Sequence, residues 1–181
     1  YSFADGSGGS GGVFGVHPDH HALWINPNYT NQLYLGTDGG VYLSNDRGAS
    51  WMHLASLPVS QFYHVAYDQQ TPYHVYGGLQ DNGTWSAPSK TPFGTKNADW
   101  KFILGGDGFW AQPDLLAPEF VYCEYQGGEI SRVNIKEGTS VNIKPQQSIG
   151  EEKLRFNWNT PIQIGATNKS NLYIGAQYLY K

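Results

Sequence analysis

Two aspartates in this chain have the surroundings to do acid–base chemistry together. Asp81 stands in Gly77-Gly78-Leu79-Gln80-Asp81-Asn82-Gly83, and Asp107 in Gly105-Gly106-Asp107-Gly108. A glycosidase needs two carboxyl groups, roughly 5 Å apart for retention or about 6.5–9.5 Å for inversion, one with a raised pKa. Asp81 and Asp107 are the pair that suits that role, with Asp19 as a substitute. Trp110, Trp158 and Tyr178 would offer faces for sugar rings. The competing reading is that each aspartate serves its own turn. Asp-Asn-Gly and Gly-Asp-Gly are turn sequences whose carboxylates bond nearby backbone N–H groups.

A second constellation is His17-Pro18-Asp19-His20-His21. Imidazoles and a carboxylate are suitable ligands for Zn²⁺ or another transition metal. In an extended segment His17, Asp19 and His21 face one way and His20 the other. Alternatively, these side chains bond neighbouring loops and fix the start of a strand. No cofactor is expected. Other chemistries find little footing. There is no Gly-x-Ser-x-Gly elbow, and no motif ties Cys123, the sole cysteine, to a histidine. A sialidase needs several arginines around the substrate carboxylate, and the chain has only Arg47, Arg132 and Arg155. The glycine-rich segments do not lead into a helix as a phosphate-binding loop does.

The elements that would position these residues are short strands. The 181 residues are 15% aromatic and 14% charged and include 23 glycines, a balance that suits an all-β fold with tight turns. A net charge of −4 offers no basic field for nucleic acid. No apolar run is long enough to span a membrane as a helix.

One strand recurs: Leu33-Tyr34-Leu35-Gly36, Val75-Tyr76-Gly77-Gly78, Val121-Tyr122-Cys123-Glu124 and Leu172-Tyr173-Ile174-Gly175. Its tyrosines lie about 42, 46 and 51 residues apart, near the period of a propeller blade. Each is preceded by another apolar strand and followed by a third. A fourth strand closes the first three units, and the last unit stops after its third. The pattern predicts a β-propeller of four-stranded antiparallel blades, about four of them, over residues 13–181. Residues 1–12 read as a short strand, Tyr1 to Asp5, and a linker, Gly6 to Gly12, whose regularity suggests an engineered joint or deletion scar, with a natural loop as the alternative. Tyr1 to Asp5 would supply the strand that the last blade lacks.

Ser44-Asn45-Asp46-Arg47-Gly48-Ala49-Ser50-Trp51 fits Ser/Thr-x-Asp-x-Gly-x-x-Trp, the Asp-box or BNR repeat. Here Ser44, Asp46, Gly48 and Trp51 are read as a structural staple: Asp46 bonds its own turn and Trp51 buries its ring beneath it. In a propeller the loops before the inner strands share a face with the loops between second and third strands. That gathers His20, His21, Gln80, Asn157, Trp158 and Asn159 as ligand-binding candidates, beside Asp81 and Asp107, with the Asp-box on the opposite face.

The run His20-His21-Ala22-Leu23-Trp24-Ile25-Asn26-Pro27, the Asp-box, Gly77 to Trp85, Gly105 to Phe109 and Phe156 to Pro161 together resemble bacterial BNR-repeat proteins labelled glycosyl hydrolases, related to the sortilin propeller. The resemblance covers residues 16–181 and implies a secreted or periplasmic propeller. Members are usually much longer, so the chain would carry part of the parent architecture. The expected function is a binding or scaffold module taking a carbohydrate or peptide on the polar face, as an engineered or partial propeller that self-assembles. The alternative is a glycoside hydrolase or its remnant using Asp81 and Asp107. A homodimer, or partner blades completing a larger propeller, would cover the exposed strand edges.

Overall fold

The computed structural model describes residues 15–57 and 60–181. The N-terminal strand and linker expected over 1–12 lie outside the described residues. The chain divides into two compact units, Tyr1–Ser60 and Gln61–Lys181. Both are all-β, and their sheets are the antiparallel meanders of propeller blades. Among the described residues no helix is long and apolar enough to cross a membrane.

Among its described residues the first unit holds one sheet of β1 (His20–Ile25), β2 (Leu33–Thr37), β3 (Gly40–Ser44) and β4 (Met52–His53), in that order. Val16, Leu35 and Tyr42 are buried together, with Trp51 packed against them. The Asp-box joins β3 to β4 as expected. Ser44 Oγ donates to Asp46 Oδ1 (2.8 Å) and accepts from the Gly48 N–H (2.8 Å). Asp46 also accepts from the Ser50 N–H (2.8 Å) and hydroxyl (2.6 Å). Gly48 has φ +88°, a backbone that a β-carbon opposes. A β-carbon there would also lie 3.4 Å from the Trp51 ring.

The Ser50 hydroxyl, ahead of the other donors, holds the Asp46 carboxyl down to about 2. A lowered carboxylate pKa stabilises above the unfolded value and is lost as pH falls through the folded one. Acidifying from pH 4.5 to 2 should therefore loosen this turn, read as a shift of the Ser50 amide resonance that Asp46→Ala abolishes. A Ser50 amide indifferent to pH over that range would contradict the staple.

The second unit holds three sheets. The first runs β5 (His64–Tyr67), β6 (His74–Leu79), β7 (Gly83–Pro88), β8 (Lys101–Leu104). The next runs β9 (Gly108–Pro113), β10 (Phe120–Tyr125), β11 (Glu129–Asn134), β12 (Thr139–Asn142). The last has three strands, β13 (Ile162–Ile164), β14 (Leu172–Gly175) and β15 (Leu179–Tyr180). β7 continues to the end of its hairpin, where Ala87 and Pro88 pair with Val75 and His74.

The three inner strands of the middle sheet, β9 to β11, are covered on both faces, and alternation divides their side chains between the two. Val121, Cys123 and Ala111 turn toward Tyr76 of the preceding sheet. Ile130, Trp110 and Tyr122 turn toward Ile162 and Ile174 of the following one. Cys123 is wholly buried, and burial pushes its thiol pKa up.

The blades repeat atom by atom. After each inner strand a backbone N–H bonds the carbonyl six residues on: Asn26 to Gln32, Asp68 to His74, Asp114 to Phe120 and Gly165 to Asn171. In the first three blades a second bond spans sixteen residues: Arg47 to Asn31, Ser89 to Tyr73 and Ile135 to Glu119. Asp68 accepts the Tyr76 hydroxyl (3.0 Å) as Asp114 accepts that of Tyr122 (3.1 Å), each pair eight residues apart. Relative to the second bond, Asn134 occupies the place of Asp46. Its Oδ1 accepts from the N–H groups of Lys136 (3.0 Å) and Glu137 (3.1 Å), so the third blade ties its turn at the same place with different bonds.

Candidate ligand-binding face

Each blade clasps the start of its inner strand, or the segment leading into it, with a side-chain oxygen from the turn between its second and third strands. In the Gln61–Lys181 unit the clasp is a glutamine each time. Gln80 accepts from the Tyr63 hydroxyl, Gln126 from the Asp107 N–H (2.8 Å), and Gln177 from the Arg155 N–H (2.7 Å). In the Tyr1–Ser60 unit Asp38 takes this place, bonded to His21 Nε2. Gln80, Gln126, Gln177 and Asp38 thus hold these segments against their own blades.

In the Tyr1–Ser60 unit the expected alternation of His17, Asp19 and His21 fails for two local reasons. Pro18 lies at a bend, so the strand begins only at His20. The pairing of β1 with β2 then slips between His20 and Ala22, a bulge at His21 that breaks the two-residue period. His17 Nδ1 instead lies 3.7 Å from the Asp19 carboxylate, while His21 turns to Asp38. His20 is exposed and pairs with Thr37 through the backbone.

In the Gln61–Lys181 unit Asp81 and Asp107 do come together, but through the backbone. Asp107 Oδ1 accepts the Asp81 N–H at 2.9 Å. Asp81 has φ +61° and opens the turn whose Gly83 N–H bonds Gly106 O (3.0 Å). The Asp107 carboxylate therefore ties the turn of one blade to the loop leading into the next.

The loop 157–160, which leads into β13, divides the remaining candidates by role. Trp158 is 49% exposed. Its ring meets buried Phe109 nearly edge-on, centroids 4.9 Å apart at 72°. Tyr63 lies against the same Phe109 (4.6 Å) and perpendicular to Trp158 (6.4 Å, 90°). With Gln80 on the Tyr63 hydroxyl, these residues form a fixed aromatic corner with a polar rim. Asn159 points inward, bonded to Trp110 and His64. Asn157 serves the loop itself, its carbonyl accepting from Thr160 Oγ1 at 2.7 Å.

Sequence reasoning did not single out Tyr63, His64 or Glu124. Glu124 is wholly buried in β10 on the face turned to the last sheet. Burial pushes its pKa up to about 8, against the pull of N–H groups from Thr160, Gly128 and Trp110. Its Oε1 accepts the Thr160 N–H at 3.1 Å, and Oε2 is buried with no hydrogen-bond partner among the described residues. The signal was present: alternation from the apolar pair Val121 and Cys123 puts Glu124 on the other face of a sheet with two covered sides. The chain matches no family model, and no curated protein matches it.

Proposed function

We infer that the chain is a carbohydrate-binding module of the Asp-box propeller type, secreted or periplasmic, with its ligand on the Tyr63–Gln80–Trp158 corner. The observation that carries this reading is Trp158, half exposed yet held by Phe109 and Tyr63. A large apolar ring offered to solvent in a fixed orientation stacks on the apolar face of a sugar without losing side-chain freedom on binding. The amide of Gln80 and the hydroxyl of Tyr63 stand beside it to bond sugar hydroxyls.

Trp158→Ala should weaken binding of neutral oligosaccharides about ten-fold or more, measured by calorimetry on a ligand found by glycan array. Unchanged affinity would move the ligand elsewhere. Hydrolysis is the competing activity. If Asp81 and Asp107 were its carboxyl pair, the wild-type chain would release reducing ends and Asp107→Asn would not. The staple reading of Asp107 predicts binding without release by either protein.

A further inference from the structure

The loop that carries Trp158 is held by polar contacts whose direction follows from chemistry alone. An indole N–H only donates, so the Asn159 atom 2.9 Å from Trp110 Nε1 is the carbonyl oxygen. The other end of the amide, Nδ2, then lies 3.1 Å from His64 Nε2. An amide NH₂ also only donates, so Nε2 must present a lone pair. His64 is therefore neutral, with its ring proton on Nδ1. The three residues come from β5, β9 and the loop leading into β13, one from each sheet of the unit. The imidazole also lies flat on the Trp110 indole, centroids 3.8 Å apart at 17°.

We propose that His64, Asn159 and Trp110 form a proton-operated latch on the Trp158 loop, closed while His64 is neutral and released when it is protonated. The latch concerns regulation of the proposed ligand face and rests on that reading for its consequence, though not for its mechanism. A proton on Nε2 would face the Asn159 NH₂ donor to donor. Turning the amide over would satisfy the imidazolium but set NH₂ against the indole N–H. No orientation of Asn159 serves both partners, so one bond is lost. Stacking acts in the other direction, because an imidazolium gains cation–π attraction on an indole face. The ring therefore stays, and Asn159 with its loop is what moves.

Neighbouring groups leave this role to His64. β6 and β9 pack on β5, and neither β9 nor residues 157–160 include a titratable side chain. On β6, His74 and Tyr76 both bond Asp68, which accepts from His74 in either protonation state. Tyr63, ahead of β5, donates to Gln80. Glu124 of β10 holds the same loop at the Thr160 N–H, and with its pKa pushed up to about 8 it is already protonated below neutral pH and does not change charge as the pH falls to 5. The remaining tie, Gly127 N–H to Trp158 O (2.9 Å), is backbone and does not titrate.

Nitrogen-15 NMR of the full chain tests the latch. At pH 7.5 His64 should show the Nδ1–H tautomer. On acidification to pH 5, the protection of the Trp110 indole proton, the exchange rate of a free indole at the same pH divided by its own, should fall about ten-fold as the imidazole takes up its proton, the loss of one hydrogen bond. His64→Gln, whose Oε1 can accept from Asn159 at any pH, should show no such step. Asn159→Asp should reverse its sign, because a carboxylate accepts from both the indole and the imidazolium. An Nε2–H tautomer at pH 7.5, or a Trp110 protection that stays the same between pH 7.5 and 5, would overturn the proposal. No sugar is present in these measurements, so their outcome is independent of whether the Trp158 face binds carbohydrate.

Discussion

Gly78→Ala should destabilise the Gln61–Lys181 unit by about 3 kcal/mol or more, the upper end of what overpacking costs. A β-carbon at Gly78 would fall within 3.0 Å of the Gly108 carbonyl carbon and oxygen and of the Phe109 nitrogen. These are backbone atoms of β9 that cannot rotate away. Gly108 is itself crowded from β7, since a β-carbon there would press into the Gly83 carbonyl. The two sheets meet glycine to glycine, which brings β6 and β9 close enough to bury Tyr76 against Ala111 and Val121. Gly175 is the control: its β-carbon would meet nothing within 4 Å and its φ is not positive, so Gly175→Ala should be close to neutral. Urea unfolding of the three proteins measures the difference. A Gly78→Ala chain within about 0.5 kcal/mol of wild type would mean that the sheets do not meet this way.

The second large effect is set by pH. Glu124 is buried with its pKa raised to about 8 from an ordinary 4.5, so the folded chain keeps a proton that the unfolded chain has released. Stability is then undiminished below the unfolded pKa and falls as pH rises from about 4.5 toward 8. At pH 7 the loss is on the order of 3 kcal/mol, from 2.5 pH units at about 1.4 kcal/mol each. Glu124→Gln keeps an oxygen for the Thr160 N–H and has no proton to lose. It should match wild type near pH 4.5 and exceed it by about 3 kcal/mol at pH 7. Equal stability of the two proteins across pH 4.5–8 would show that Glu124 is charged and paired in the fold.

The blades were legible because the same bonds recur. Tyr34, Tyr76 and Tyr122 stand eight residues after Asn26, Asp68 and Asp114, and in two of the three blades the tyrosine hydroxyl bonds that aspartate. The Asp-box was legible for a similar reason: its Ser, Asp, Gly and Trp each make a contact that few other residue types can make. Asn134 carries no such signal, because an asparagine that accepts from two nearby backbone donors ties the corresponding turn without the motif.

The polar face was legible as a list and not as an arrangement. Topology places Gln80, Asp107, Gln126, Asn159 and Gln177 at one end of the strands, but not the direction in which each side chain turns. Asn157, Trp158 and Asn159 are neighbours in sequence, yet Trp158 turns outward and Asn159 inward, a choice made by the Trp110 indole and His64 on other blades. The alternation expected for His17, Asp19 and His21 depended on a strand that Pro18 and a bulge interrupt. Long-range packing decides these matters, and a window of a few residues does not contain it.

The most direct test of the carbohydrate reading is a titration of the wild-type chain with neutral oligosaccharides, following its tryptophan indole N–H resonances by NMR. Trp158→Phe assigns the decisive peak. If the Tyr63–Gln80–Trp158 corner is the ligand face, one class of oligosaccharide shifts the Trp158 resonance saturably while that of wholly structural Trp85 stays in place. A Trp158 resonance that no oligosaccharide moves, or a saturable shift confined to tryptophans outside the corner, would contradict it.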